Sequence, residues 1–259
     1  MALASCTNND SPLDNNEGKA NDPAAASRPK SIGYSILNTY PHDTSSFTQG
    51  LVVYKGELYE GTGEYGRSHL LKTDLATGKI RQQLALDKQY FGEGITILND
   101  TIYQLTWQEK TVFAYTLKDF KKVKEFSIGT QGWGITTDGK DLLVSDGSSN
   151  IYYYSPLGFQ LLRTQTITEG GSLAYNLNEL EYIGGFIYAN QWQQPYILKI
   201  DPGSGSIVGK IDLTGIWNRV KAKDPAADVP NGIAFDSSSG RIFITGKKWP
   251  ELYEVQLSE

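Results

Sequence analysis

The chain has 259 residues, enough for one large domain with a packed core. A net charge of −5, with 20% charged residues and no long basic run, excludes the electrostatic footprint of a nucleic-acid-binding protein. One Cys and two His leave neither a disulfide framework nor a His/Cys zinc cluster, and nothing pairs His42 or His69 with a candidate serine nucleophile.

Residues 1–30 read as a disordered N-terminal tether. The tract is rich in Asn, Asp, Ala, Ser and Pro, and such a composition buries too little apolar area to offset its ordering entropy. Within it, Leu3-Ala4-Ser5-Cys6 resembles a bacterial lipobox without the charged and apolar parts of a signal peptide. A lipid on Cys6 would hold the following domain near a membrane without burying it. No apolar run reaches the roughly 18 residues that a spanning helix needs.

From Tyr34 the pattern changes to strands, and 31–259 is expected to form one domain. Aromatics at 12% and 27 Gly favour short strands joined by tight turns. Residues 34–40 form one isolated strand. A unit of four strands then covers 51–84, with turns at Lys55-Gly56 and Ala76-Thr77-Gly78. Similar units follow over 95–128, 135–166 and 180–212, and a fifth at 233–257 is one strand short. Repeats of about 40 residues, each a four-stranded sheet, describe a propeller. The expected fold is therefore an all-β, five-bladed β-propeller in which strand 34–40 completes the last blade, closing the ring and removing exposed edges. The run Gly61-Thr62-Gly63-Glu64-Tyr65-Gly66 spells a dinucleotide fingerprint, but a strand pattern follows it where a phosphate-binding helix would be required.

In a propeller the first strand of each blade lines the central channel, so the residue preceding it stands at one mouth. Across the units these positions hold Gln49, Glu93, Trp133, Asn178 and Asn231, of which only Glu93 is a carboxylate. A short hairpin returns to the same mouth about 14 residues later, which brings Trp107 and Trp192 there. The fifth unit returns near Gly246-Lys247-Lys248-Trp249. One mouth should thus gather a carboxylate, carboxamides, tryptophans and a lysine. Glu64 and Asp146 lie nearby and read as structural, and Trp217 as packing.

Five ordered motifs carry a resemblance. They are Phe47-Thr48-Gln49-Gly50-Leu51, Phe91-Gly92-Glu93-Gly94-Ile95-Thr96, Gly132-Trp133-Gly134, Leu177-Asn178-Glu179-Leu180-Glu181-Tyr182 with Ala189-Asn190-Gln191-Trp192, and Thr245-Gly246-Lys247-Lys248-Trp249-Pro250. Together they are similar to the plant and bacterial type of glutaminyl-peptide cyclotransferases, over about residues 34–257. The resemblance implies a five-bladed propeller that converts N-terminal glutamine of peptides or proteins to pyroglutamate with release of ammonia. It also implies the roles. Glu93 is the catalytic acid/base, with Lys247 and Asn178 beside it, and Phe47, Gln49, Phe91, Trp107, Trp133 and Trp192 bind the substrate. No metal and no cofactor is expected, and the adjacent Lys247 and Lys248 leave open which of them faces the site. The remaining expectations are a monomer with no nucleic-acid partner, placed in the periplasm or anchored outside the cytoplasm of a bacterium. A non-catalytic periplasmic propeller gripping peptide N-termini is the rival reading, and the acid–base group argues against it.

Overall fold

The computed structural model describes residues 1–2 and 28–258. The lipobox at Cys6 and nearly all of the expected tether fall outside the described residues.

In chain order, β1 (Lys30–Pro41) precedes a first sheet of β2 (Thr48–Tyr54), β3 (Glu57–Thr62), β4 (His69–Thr73) and β5 (Ile80–Ala85). The second sheet contains β6 (Gly92–Leu98), β7 (Thr101–Thr106), β8 (Thr111–Thr116) and β9 (Lys122–Ser127). The third contains β10 (Ile135–Thr137), β11 (Leu142–Ser145), β12 (Asn150–Tyr154) and β13 (Leu161–Thr166), and a small hairpin follows, β14 (Thr168–Glu169) and β15 (Ser172–Leu173). Next come β16 (Leu177–Ile183), β17 (Phe186–Gln191), β18 (Tyr196–Ile200) and β19 (Ile207–Asp212), then a helix α1 (Thr214–Lys223), and finally β20 (Pro230–Asp236), β21 (Arg241–Gly246) and β22 (Glu251–Ser258). Within each unit the strands pair antiparallel in sequence order. The turn chemistry explains the tight first hairpins: Lys55-Gly56, Asn99-Asp100 and Gly184-Gly185 all adopt positive φ at both positions, as a two-residue turn matched to strand twist demands.

The chain end is completed from its beginning. β1 pairs antiparallel with β22 from Gly33↔Ser258 to Pro41↔Glu251, and its first residues Lys30–Ile32 pair parallel with β19. The closing strand is thus longer than the 34–40 expected from sequence, and it also ties the fourth unit to the fifth.

The apolar core lies between sheets. Ile32, Ile197, Ile233 and Ile244 belong to one cluster between the fourth and fifth units, and four similar clusters fill the other junctions. The last of these, with Leu51, Val53, Leu58, Ala234, Phe243 and Leu252, joins the fifth unit to the first. First strands touch in the order β2, β6, β10, β16, β20 and back to β2. The outer strands β5, β9 and β13 face water over most of their length, so each unit is buried inside and solvated outside.

Close approach at the centre requires small residues. A Cβ on Gly134 would lie 2.0 Å from the carbonyl oxygen of Asn178. The equivalent position in the fourth unit is Glu179, and its carboxylate reaches across the channel instead. It accepts hydrogen bonds from the backbone N–H of Leu51 (3.3 Å) and Ile233 (2.9 Å), linking the fourth unit to the first and fifth. Two residues on, Glu181 accepts from Phe235 N–H at 2.9 Å and from the Thr136 hydroxyl at 3.3 Å.

The helix was not expected. It buries only Ile216 and Val220, four residues apart, so its apolar stripe is one turn long. Asp212 accepts from Thr214 N–H at its start (2.8 Å), Lys221 and Lys223 sit in its last turn, and Asp224 before Pro225 is extended. Trp217 packs partly buried on this side, as read from sequence.

Candidate active site

A cavity of about 290 Å³ opens at one end of the ring, lined by Phe47, Gln49, Phe91, Glu93, Trp107, Trp133, Asn178, Trp192, Asp228 and Lys247. All nine residues singled out from the sequence line it, and Asp228 joins them. The side chains come from all five units, so the site exists only in the closed ring.

Two backbone devices repeat around the mouth. Gln49, Glu93, Asn178 and Asn231 lie inside their strands, at register shifts between Thr48 and Gly50, Gly92 and Ile95, Leu177 and Leu180, and Pro230 and Ile233. The strands begin earlier than the alternation suggested, and each bulge turns one side chain out of the ladder toward the mouth. The second device is one hydrogen bond in each of four units. Gly63, Trp107, Trp192 and Lys247 donate their N–H groups to the carbonyls of Phe47, Phe91, Asn176 and Val229, at 2.8 to 3.0 Å. Lys247 therefore occupies in the fifth unit the place that a tryptophan takes in the second and fourth.

Glu93 is only 4% exposed. Burial pushes its carboxyl well above the ordinary carboxylate range; Lys247 pulls it back, and Glu109 pushes it further up. Burial lowers the pKa of Lys247, against the opposing fields of Glu93 and Asp228. Its Nζ lies 4.5 Å from the centre of the Phe47 ring. Lys248 turns away, with a backbone φ of 59°, and pairs with Glu64 at 2.8 Å. The ambiguity between the two lysines is thereby resolved in favour of Lys247 on the cavity wall.

The carboxamides are held from behind. Asn231 donates from Nδ2 to the Thr48 carbonyl (3.0 Å) and to Gln49 Oε1 (3.2 Å), which leaves the Gln49 amide N–H groups as the donors for the cavity. Asn178 Oδ1 is buried with no hydrogen-bond partner among the described residues, and an unpaired buried acceptor gains from any donor brought to it. Glu64 and Asp146 both have structural partners, Lys248 and Arg67 for the first and Ser148 for the second.

Aromatic rings form the walls. Trp133 meets Trp192 edge to face at 5.5 Å, and Phe91 contacts Trp107 (5.5 Å), Tyr65 (5.3 Å) and Phe47 (6.2 Å). Sequence reasoning missed Tyr65, Gln131 and Glu109, which support these walls, and Asp228 at the rim. Gln131 Oε1 accepts from the indole N–H groups of both Trp107 (2.6 Å) and Trp133 (3.3 Å), joining two units. Glu109 accepts from the Tyr65 hydroxyl (2.8 Å) and from Phe91 N–H (3.3 Å). Asp228 is exposed at the rim, in the loop that α1 delivers, and its backbone N–H donates to the Lys247 carbonyl at 2.8 Å. A signal for Gln131 was present: it stands two residues before Trp133, as Phe47 stands before Gln49 and Phe91 before Glu93. Among the described residues no group of three or more His, Cys, Asp or Glu is placed to hold a metal ion.

Such a pocket can hold one flexible polar side chain between aromatic walls, next to a carboxylate that takes up protons readily and an ammonium group. Comparisons with known proteins agree with the geometry. The family model described as glutamine cyclotransferase matches residues 11–257. A glutaminyl-peptide cyclotransferase of Arabidopsis thaliana is 41% identical over 228 residues, which cover 86% of this chain and 71% of the plant protein. The crystal structure of Myxococcus xanthus glutaminyl cyclase superposes with a TM-score of 0.83 at 35% identity, covering 89% of this chain and 98% of that one.

Proposed function

Because the chain belongs to the glutamine cyclotransferase family, we propose that it converts N-terminal glutaminyl residues of peptides to pyroglutamate with release of ammonia. The observation that carries the residue assignments is the convergence of Glu93, Lys247, two carboxamides and the aromatic walls on one cavity.

The chemistry needs no enzyme nucleophile, since the substrate's α-amine attacks its own side-chain amide carbon. That amine has a pKa near 8, so part of it is neutral at pH 7. Glu93 takes the proton released as the new N–C bond forms. The amide oxygen gains negative charge in the tetrahedral intermediate, and the Lys247 ammonium and the Gln49 amide N–H stabilise it. Glu93 then returns the proton to the leaving nitrogen, the old C–N bond breaks, and ammonia departs. A carboxyl pKa raised by burial suits both transfers, which together contribute about 10²–10⁴-fold. Asn178 Oδ1 accepts from the substrate amine. The walls of Trp107, Trp133, Trp192, Phe47 and Phe91 hold the side chain in the folded, ring-closing conformer, where orientation supplies much of the rate.

Mass spectrometry of a glutaminyl peptide incubated with the protein tests this directly. The expected product has lost one ammonia and its free α-amine; an unchanged peptide bound to the protein would favour the non-catalytic reading instead. We further propose that the enzyme works as a metal-independent monomer outside the cytoplasm, held by a lipid on Cys6. Full activity after chelation, a monomer mass in solution, and membrane association lost in Cys6→Ser are the corresponding outcomes.

A further inference from the structure

A second concave surface adjoins the mouth. It is a polar groove of about 410 Å³, lined by Asp43 to Ser46, Glu64, Arg67, His69, Gln83 and Lys248 among others. Three chain segments run from the groove to the active-site cavity or to its aromatic wall. Residues 43–46 line the groove, while Phe47 and Gln49 line the cavity. Glu64 faces the groove, while Tyr65 packs on Phe91 of the cavity wall. Lys248 lies in the groove and Lys247 in the cavity, with their Nζ atoms 5.5 and 4.5 Å from the centre of the same Phe47 ring. The two surfaces are therefore the two sides of one ridge.

We propose that this groove binds the substrate peptide beyond its glutaminyl residue, which rests on the cyclotransferase reading above. The side chain and α-amine of the substrate occupy the cavity beside Glu93, so the chain that follows must leave through the mouth. Crossing the Phe47–Lys248 ridge brings it onto hydroxyl, carboxamide and charged groups able to meet backbone N–H and C=O groups. Asp43 and Glu64 balance Arg67 and Lys248, with Lys248 paired to Glu64 at 2.8 Å and Arg67 at 3.6 Å from it. With its formal charges cancelled, the groove selects chain length rather than charge: an extended, sequence-tolerant peptide of three or more residues.

A length series from the glutaminyl dipeptide to a pentapeptide of neutral residues tests this on the intact chain. The expected rise in kcat/KM is about tenfold, equivalent to about 1.4 kcal/mol, the net worth of one or two hydrogen bonds. Thr44 and Gln83 are exposed and outside the catalytic cavity, so Thr44→Trp with Gln83→Trp narrows the groove alone. This variant should turn over the dipeptide like the wild type, which also reports that it is folded, and should lose the rise with length. Equal kcat/KM across the wild-type series would overturn the proposal. So would a rise that survives in the double variant. Failure to cyclise any peptide would sink the underlying reaction, an outcome distinct from turnover without length dependence.

Discussion

Replacing Glu181 by Gln should stabilise the protein in alkaline solution and leave it nearly unchanged in acid. Glu181 is half-buried at the channel, and loss of solvent around its carboxylate raises the carboxyl from 4.5 to about 8, against the hydrogen bonds from Phe235 N–H and the Thr136 hydroxyl. A carboxyl whose folded-state pKa is raised binds its proton more tightly in the native state, so folding stability falls as pH rises through that interval and levels off above it. The interval of 3.5 units (8 minus 4.5) at 1.36 kcal/mol per unit sets a ceiling of about 5 kcal/mol. Local relaxation and water entry reduce it, and roughly 3 kcal/mol would still be plain in urea unfolding curves. At pH 5 the wild-type side chain is neutral in the native state, and glutamine is close to it in shape. The stability difference between Glu181→Gln and wild type should therefore grow from pH 5 to about pH 8 and level off above it. A difference that stays constant from pH 5 to about pH 8 would refute the assignment of a desolvated, proton-holding carboxyl to the channel.

Four further substitutions test the site. Lys247→Met should move the acid limb of the kcat/KM profile to higher pH while lowering the rate, because Lys247 holds Glu93 down. Glu109→Gln removes a charge that pushes Glu93 up, so its limb should move to lower pH; limbs shifted in the same direction would contradict the electrostatics. Gln131→Leu frees both indoles. It should cost under about 1 kcal/mol of stability, since water replaces an exposed acceptor, yet reduce kcat/KM about 10- to 100-fold through misplacement of the walls. Gly147→Ala would bring a Cβ within 2.6 Å of the Trp133 ring at a φ of 81°, so activity should drop with a destabilisation of about 1–2 kcal/mol, read from thermal unfolding and turnover together.

What the sequence made legible was what repeats. Five units, four with a polar residue and the third with Trp133 where the first strand begins, locate the ring and its mouth, and the about 14-residue hairpin return locates Trp107 and Trp192. Contacts formed between units were less visible. Gln131 acts on Trp107, 24 residues earlier, and Glu109 on Tyr65, 44 residues earlier, and no local period reports either pairing. The bulges hid the true starts of β2, β6, β16 and β20, because a bulge interrupts the alternation by which a strand is recognised. The helix escaped because two buried residues in ten give almost no periodic signal, and with it escaped Asp228, which the loop after it carries to the rim.

Ammonia release from a glutaminyl dipeptide by wild type and Glu93→Gln tests the central claim most directly. Glutamine preserves the size of the buried side chain and removes its proton acceptor. The account predicts turnover by the wild type and a loss of about 10²-fold or more in a variant with unchanged circular dichroism. A folded Glu93→Gln protein that releases ammonia at the wild-type rate would contradict it.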